Sequence, residues 1–130
     1  MHGWRIGRVF GINIEIHFTW LIIFGLILWL VTQELGQRVP EVSGPNLWIT
    51  VLITTILFFV CLILHELSHS LMANHQGADV SRITLFVFGG VSQLKKEPDS
   101  PMNEFEVAIV GPLTSLVLAV VFWGIAEGLQ

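Results

Sequence analysis

The chain is poor in charge, in basic residues and in cysteine. Of its 130 residues 12% are charged, six are Lys or Arg, and one is cysteine. About 25% charged residues is usual for soluble domains, so this composition argues against one. The six basic residues are scattered, which excludes the clustered surface of a nucleic-acid-binding protein. A single cysteine, Cys61, cannot form an intrachain disulfide, and its position among Leu, Val and Phe is typical of a small buried apolar residue.

Apolar sequence is what the chain has in abundance, with 53% hydrophobic residues. Three stretches, 18–35, 47–76 and 105–127, each offer about 18 residues or more, close to the 20 or so that span a bilayer core. We therefore predict an α-helical membrane protein with three transmembrane helices. The first stretch lacks a following cleavage site of small residues, so it is interpreted as a retained span rather than a signal peptide.

Two segments outside the helices show strand patterns. In 1–17, apolar and polar residues alternate from Ile12 onward, which predicts a short β segment that turns near Gly11. Residues 80–95 predict a membrane-associated β-hairpin between helices two and three, with Gly89-Gly90 as a turn or bulge. Asn46 is expected to cap the second helix at its start, and Gly77 to end it.

The basic residues predict the orientation. Five of the six lie before the first span or between the second and third, and Arg38 alone lies on the other side. Because basic loops stay in the cytoplasm, the N-terminus is expected there, in an integral multi-pass protein of the cell membrane.

The sequence His65-Glu66-Leu67-Ser68-His69 lies inside the second apolar stretch. This spacing puts both imidazoles on one helix face, where they can bind one zinc ion, and Glu66 can act as the base that activates water. A chance match is the alternative. Three ionisable groups at membrane depth are costly without a role, however, which favours His65 and His69 as metal ligands and Glu66 as the catalytic residue.

The third span carries a stripe of small residues that allows another helix to approach closely. Its members are Ala108, Gly111, Ser115 and Ala119. We expect Ala108 and Ala119 to serve packing only, whereas Ser115 can also hydrogen-bond into a polar site. Because imidazoles facing lipid are costly, His65 and His69 should point toward this stripe.

Together these features resemble the site-2 protease family of intramembrane zinc metalloproteases. Four blocks carry the resemblance in the family's order and spacing: Gly11 to Phe18, His65 to Ser70, Phe88 to Val91, and Gly111 to Ser115, where many members carry asparagine in place of Ser115.

The resemblance implies a zinc endopeptidase that cleaves transmembrane helices of membrane proteins within or near the lipid bilayer. His65 and His69 would bind zinc, Glu66 would activate water, and the hairpin around Gly89 would receive an unwound substrate segment. No other cofactor-binding residue and no nucleic-acid partner is implied, and a homo-oligomer stays open.

The chain departs from the family at the third zinc ligand, which should be an aspartate of an Asp-Gly pair on a later span. Neither Asp79 nor Asp99 is followed by glycine, and His75 lies about 240° around the helix from His69. We therefore expect the 130 residues to be the N-terminal portion of one protease domain, and to be inactive alone.

Two other interpretations are retained. One is a non-catalytic membrane module for assembly or regulation, derived from such a protease. The other is a prenyl-protein type of protease, in which Glu104 or Glu106 would be the third ligand. The roles of His17 and Glu15 are left open.

Overall fold

The computed structural model describes residues 3–86, 89–93 (backbone) and 100–129. Its elements are strands β1 (Trp4–Val9) and β2 (Ile12–Ile16), helices α1 (Trp20–Arg38) and α2 (Pro45–His75), strands β3 (Arg82–Phe86) and β4 (Gly89–Gln93), and helix α3 (Pro101–Gly128). Within these described residues, three helices are long and apolar enough to cross a membrane. This architecture of three long helices with a small β component confirms the predicted fold class.

The longest helix, α2, has 31 residues. At 1.5 Å per residue it rises about 46 Å, whereas a bilayer core is only about 30 Å thick. The helix is therefore longer than one crossing of the bilayer core requires. Its last third carries the histidine motif.

The two ends of α2 follow different rules. Gly44 occupies the N-cap with φ 63° and Pro45 the first helical position, so the prediction that Asn46 caps the helix is wrong. Proline is favoured there because its φ is already helical and its missing N–H would have no partner. At the other end Gly77 has φ 87°. Its N–H donates to Asn74 O and the Ala78 N–H to Ala73 O, both at 2.9 Å. This Schellman motif ends the helix as predicted.

Helix α3 begins at Pro101, four residues before the expected start of the third span. Ser100 is its N-cap, and the Ser100 hydroxyl accepts from the Asn103 N–H at 3.2 Å. An acceptor at this position satisfies one of the backbone donors that every helix start leaves free. The preceding residues Lys95, Lys96 and Asp99 lie outside the described residues.

The four strands form one sheet in the order β1-β2-β3-β4. β1 and β2 are an antiparallel hairpin whose turn residues Phe10 and Gly11 have φ 52° and 78°, as predicted near Gly11. β3 and β4 form the predicted second hairpin, but Gly89 and Gly90 belong to strand β4. The connecting residues 87–88 are not among those described. The two hairpins join because β2 pairs with β3 in parallel, a contact that spans α1 and α2.

One face of this sheet packs on α2. Ile12, Ile14, Ile83 and Leu85 are at most 3% exposed and cluster with Leu67 of the helix. Burial of one such side chain contributes about 1.5–3 kcal/mol relative to exposure. Leu67 lies between the two motif histidines, so the sheet lies directly behind the motif.

Two residues of open role hold the sheet in place. Glu15 Oε2 forms an ion pair with Arg82 Nε at 3.1 Å, which joins β2 to β3, and both side chains are mostly buried. The His17 backbone N–H donates to Leu85 O at 2.7 Å. Its Nδ1 lies 2.8 Å from the Thr19 hydroxyl, at the entry to α1. Both residues have structural partners away from the histidine motif.

Helix α1 is attached to α2 by aromatic contacts. The Trp20 and Phe59 rings meet edge to face with centroids 4.9 Å apart, and Phe24 stacks on Phe59 at 5.6 Å. Aromatic pairs of this kind contribute about 0.5–1.5 kcal/mol beyond the burial of their area.

The side chain of Asn74 connects the end of α2 to the start of β3. Its Oδ1 accepts from the buried Val80 N–H at 2.5 Å. We predict that Asn74→Ala lowers the free energy of unfolding by about 1–2 kcal/mol, because the buried donor loses its acceptor. Unfolding in detergent micelles, titrated with dodecyl sulfate and followed by circular dichroism, measures this difference.

The matched control is Asn46→Ala, the same change at the exposed opposite end of α2. Because Asn46 does not cap the helix, its replacement should shift the free energy of unfolding by less than about 0.5 kcal/mol. Equal losses in the two variants would contradict the assigned role of Asn74.

Candidate metal centre on α2 and α3

The two motif histidines converge in space. His65 and His69 lie one turn apart on α2, and their ring centroids are 4.8 Å apart. The Nε2 atoms approach to 3.2 Å. Both rings point toward α3, as the cost of imidazoles facing lipid predicts.

The opposite ring nitrogens are held by α3. His69 Nδ1 lies 2.6 Å from Val107 O, and His65 Nδ1 lies 2.8 Å from the Ser115 hydroxyl. A carbonyl oxygen can only accept, so Nδ1 of His69 carries the proton and donates it. Nε2 of a neutral His69 then presents its lone pair toward His65. Metal-binding histidines are usually fixed in this way, by a hydrogen bond from the nitrogen that does not bind the metal.

The spacing of the two Nε2 atoms fits a zinc ion. Two nitrogen ligands at 2.0–2.1 Å from a tetrahedral centre lie about 3.3–3.4 Å apart. The observed separation is 3.2 Å. The donor atoms therefore need almost no rearrangement to share one ion.

Gly111 makes the close approach of the two helices possible. It is buried, and a Cβ atom at this position would lie 2.8 Å from Nε2 of His65 and closer still to the ring of His69. Only glycine leaves the space that both rings occupy. Ser68 adds a contact between the helices, since its hydroxyl lies 3.3 Å from Val110 O.

Only part of the small-residue stripe on α3 contacts the histidine rings of α2. Gly111 and Ser115 meet the rings, as expected. Ala108 and Ala119, expected to pack, are exposed in the structure. In the described part of the chain, the stripe thus contacts α2 only over its middle turns.

Glu66 lines a cavity of about 230 Å³. Its other lining residues are Phe58, Cys61, Leu62, His65 and Ser115. The cavity combines a carboxylate and an imidazole with apolar walls, which is the usual character of a small-molecule or side-chain pocket. Cys61 is half-buried, and its position four residues before His65 turns it toward this cavity. The four-residue spacing from His65 could have predicted that Cys61 lines the cavity. The apolar residues around Cys61 instead favoured a purely structural role.

No third ligand accompanies the histidines among residues 3–86, 89–93 and 100–129. No group of three His, Cys, Asp or Glu side chains there could hold a metal ion. Glu106 instead accepts from Gln76 Nε2 at 3.0 Å, and Glu104 is exposed in the first turn of α3. His75 is exposed at the end of α2. Asp99 falls outside the described residues.

Known proteins are similar to this chain in sequence and in fold. A sequence profile of peptidase family M50 matches residues 53–130. The Synechocystis protein sll0528, named among the zinc metalloproteases, is 46% identical over 114 residues, which cover 88% of this chain and 30% of that protein. Zinc metalloprotease MJ0392 of Methanocaldococcus jannaschii is 32% identical over 117 residues, 90% of this chain and 30% of that one.

A solved structure agrees with the fold. The site-2 protease from Methanocaldococcus jannaschii superposes with a TM-score of 0.65 at 28% identity, over 97% of this chain and 52% of the other. The chain thus spans about a third of the length of these curated relatives and about half of that solved chain.

The contact at Gly111 yields a stability prediction. Gly111→Ala should lower the free energy of unfolding by about 1–3 kcal/mol, because the new methyl group overlaps both imidazoles and forces α2 and α3 apart. Dodecyl sulfate titration in micelles measures the loss.

Gly124→Ala is the matched control, since a Cβ at Gly124 on the same helix meets nothing within 4 Å. This variant should be neutral or slightly stabilising, because alanine favours helix over glycine. A Gly111→Ala protein as stable as the Gly124→Ala protein would show that the two helices do not approach as closely as described.

Proposed function

The chain belongs to peptidase family M50, the site-2 protease family, and on that premise we propose that it forms part of an intramembrane zinc metalloendopeptidase that cleaves transmembrane segments of membrane proteins. In this proposal His65 and His69 bind zinc and Glu66 is the catalytic base. Residues 1–130 form the N-terminal portion of one protease domain.

The observation that carries the proposal is the geometry of the two imidazoles. Their Nε2 atoms are 3.2 Å apart, and each Nδ1 has a hydrogen-bond partner on α3. A hydrogen bond can also bring the two nitrogens together, but their separation matches that of two nitrogen ligands on one zinc ion. Convergence of this kind supports a shared cation.

In this mechanism Glu66 transfers a proton. When bound, zinc acts as a Lewis acid toward the scissile carbonyl and the attacking water. The Glu66 carboxylate, which lines the same cavity as His65, accepts the proton of that water and returns it to the leaving amine. The apolar walls formed by Phe58, Cys61 and Leu62 can take up an apolar substrate side chain and exclude bulk water.

The sheet offers a means to hold an extended substrate. β4 is the last strand of the sheet and contacts α2. An edge strand can pair with an added peptide through backbone hydrogen bonds. A transmembrane helix must unwind locally before its peptide bond can be attacked, and pairing with β4 would satisfy the backbone groups that unwinding exposes.

The proposed orientation places the N-terminus and the motif end of α2 toward the cytoplasm. Arg5 and Arg8 precede α1, and Arg82 lies between α2 and α3. Arg38, at the end of α1, lies on the opposite side of the membrane in this orientation. Its Nε forms an ion pair with Glu34 Oε2 at 2.6 Å. This excess of basic residues on one side supports the assignment.

The mechanism is tested first at the base. In the complete gene product that carries these residues, Glu66→Gln should lower cleavage of a transmembrane reporter by roughly 100-fold or more while zinc stays bound. Glutamine keeps the size of the side chain but cannot accept the proton. Cleavage in proteoliposomes, followed by gel electrophoresis, gives the rate.

Glu104→Gln is the control, because Glu104 is exposed at the start of α3, outside the cavity. It should cleave normally. If Glu104→Gln were inactive and lost its zinc while Glu66→Gln kept it, the prenyl-protein type of site would be favoured. Normal cleavage by both variants would contradict the role of Glu66.

The metal is tested separately from catalysis. His65→Ala and His69→Ala should each raise the zinc dissociation constant by roughly 100-fold or more, since removal of a ligand exceeds the 10–100-fold cost of losing a hydrogen bond to one. Competition with a chromophoric chelator in micelles measures the constant.

His75→Ala provides the matched control on the same helix, because this histidine is exposed at the end of α2 and outside the cavity that His65 lines. It should leave the zinc dissociation constant unchanged. If all three variants bound zinc equally, the paired histidines would not be the metal site, and a non-catalytic membrane module would be the better interpretation.

A further inference from the structure

Helix α3 contacts the two imidazoles through three positions spaced by four residues. Val107 O meets Nδ1 of His69, Gly111 leaves room for both rings, and the Ser115 hydroxyl meets Nδ1 of His65. Residues at this spacing lie on one face of a helix. This face of α3 therefore fixes the orientation of both imidazole rings.

The two anchors differ chemically. Val107 O can only accept, so His69 must carry its proton on Nδ1. A serine hydroxyl can either donate or accept. The proton of His65 is therefore not fixed by its partner, and His65 has two possible neutral forms.

The two forms arrange the hydrogen bonds among the same four atoms differently. In the first, His65 carries its proton on Nε2 and donates it across 3.2 Å to Nε2 of His69, while the Ser115 hydroxyl donates to Nδ1 of His65. In the second, His65 carries its proton on Nδ1 and donates it to Ser115 Oγ. Both Nε2 lone pairs then face each other, which is favourable only with a shared cation between them.

We propose that Ser115 is a positioning residue that reverses its hydrogen-bond role when the histidine pair takes up zinc. Before uptake it donates to His65, and the two rings are joined by one hydrogen bond. On uptake His65 releases its Nε2 proton to solvent and takes up another from solvent at Nδ1, so its charge is unchanged, and the Ser115 hydroxyl turns to accept. The inference rests on the proposed zinc site.

A hydroxyl at this position serves both arrangements by rotation about its C–O bond, without movement of the helix. A methyl group would leave Nδ1 of His65 without a partner in either form. A second backbone carbonyl would fix the zinc-binding form and place two lone pairs in opposition. The serine thus keeps the pair closed and hydrogen-bonded, yet ready to bind the ion.

The direct test uses the unmodified chain labelled with ¹⁵N at histidine, in micelles. Long-range ¹H–¹⁵N spectra, recorded in mildly alkaline buffer where imidazole is neutral, report which ring nitrogen carries the proton. Without zinc, His65 should be protonated at Nε2 and His69 at Nδ1. With zinc, both should be protonated at Nδ1. A His65 protonated at Nδ1 in both samples would overturn the reversal.

Variants test whether Ser115 causes this behaviour. Ser115→Ala should raise the zinc dissociation constant by about 10–100-fold, the usual cost of losing a hydrogen bond to a ligand, and Ser115→Thr should restore it to within about threefold. Thr114→Val is the matched control, because it removes a neighbouring hydroxyl that faces a different cavity, lined by Ser68 and His75. It should also stay within about threefold of the parent.

The outcomes separate this inference from the proposed function. If His65→Ala loses zinc but Ser115→Ala binds it normally, the positioning role is wrong and the metal site stands. An equal loss in Ser115→Ala and Thr114→Val would indicate a general packing effect and overturn the role. Retention of zinc by His65→Ala would overturn the metal site itself. If Ser115→Ala fails to fold, the spectra of the parent and the threonine variant still decide.

Discussion

The close approach of α2 and α3 at Gly111 is the contact on which the rest of the arrangement depends. Ionisable side chains at membrane depth must be kept from lipid. Gly111 achieves this by letting the backbone of α3 come within contact of both imidazoles. From the other side, the sheet packs on Leu67, a residue of the same motif. The motif turn of α2 is therefore held between two surfaces, and its polar and apolar faces each meet a matching neighbour.

This arrangement explains why a small sheet accompanies long apolar helices. Free strand backbone cannot face hydrocarbon, so strands near a bilayer need protein cover or a polar surround. The apolar face of β2 and β3 is covered by α2, and the pair of Glu15 with Arg82 lies between those two strands. The sheet in turn supports Leu67 and limits the rotation of α2 about its own axis. Such rotation would move the histidines away from Val107 and Ser115.

Much of the fold was predictable because its signals are local. The apolar stretches, the motif spacing, the turn at Gly11 and the end of α2 at Gly77 are all encoded within a few residues. Asn46 was misassigned because two helix-start signals lie side by side, and Pro45, whose φ is fixed, prevails over an optional side-chain cap. The role of Val107 was not predictable, because every residue has a carbonyl group and only the packing selects one. The parallel pairing of β2 with β3 was not predictable from the sequence either, because the two strands are far apart along the chain.

That parallel pairing has a consequence for biosynthesis. Ile16 ends β2 and Arg82 begins β3, so at least 65 residues, including both α1 and α2, separate the two strands. Chains emerge from the ribosome N-terminus first, and long-range pairing is slow because the intervening loop must close. The first hairpin is made early but has no neighbour until two helices have entered the bilayer. During that interval its apolar edge is a site for mispairing with another chain. Because of this order of synthesis, β2 can pair with β3 only after α1 and α2 have been inserted. The sheet that packs behind the histidine motif is therefore completed after that step.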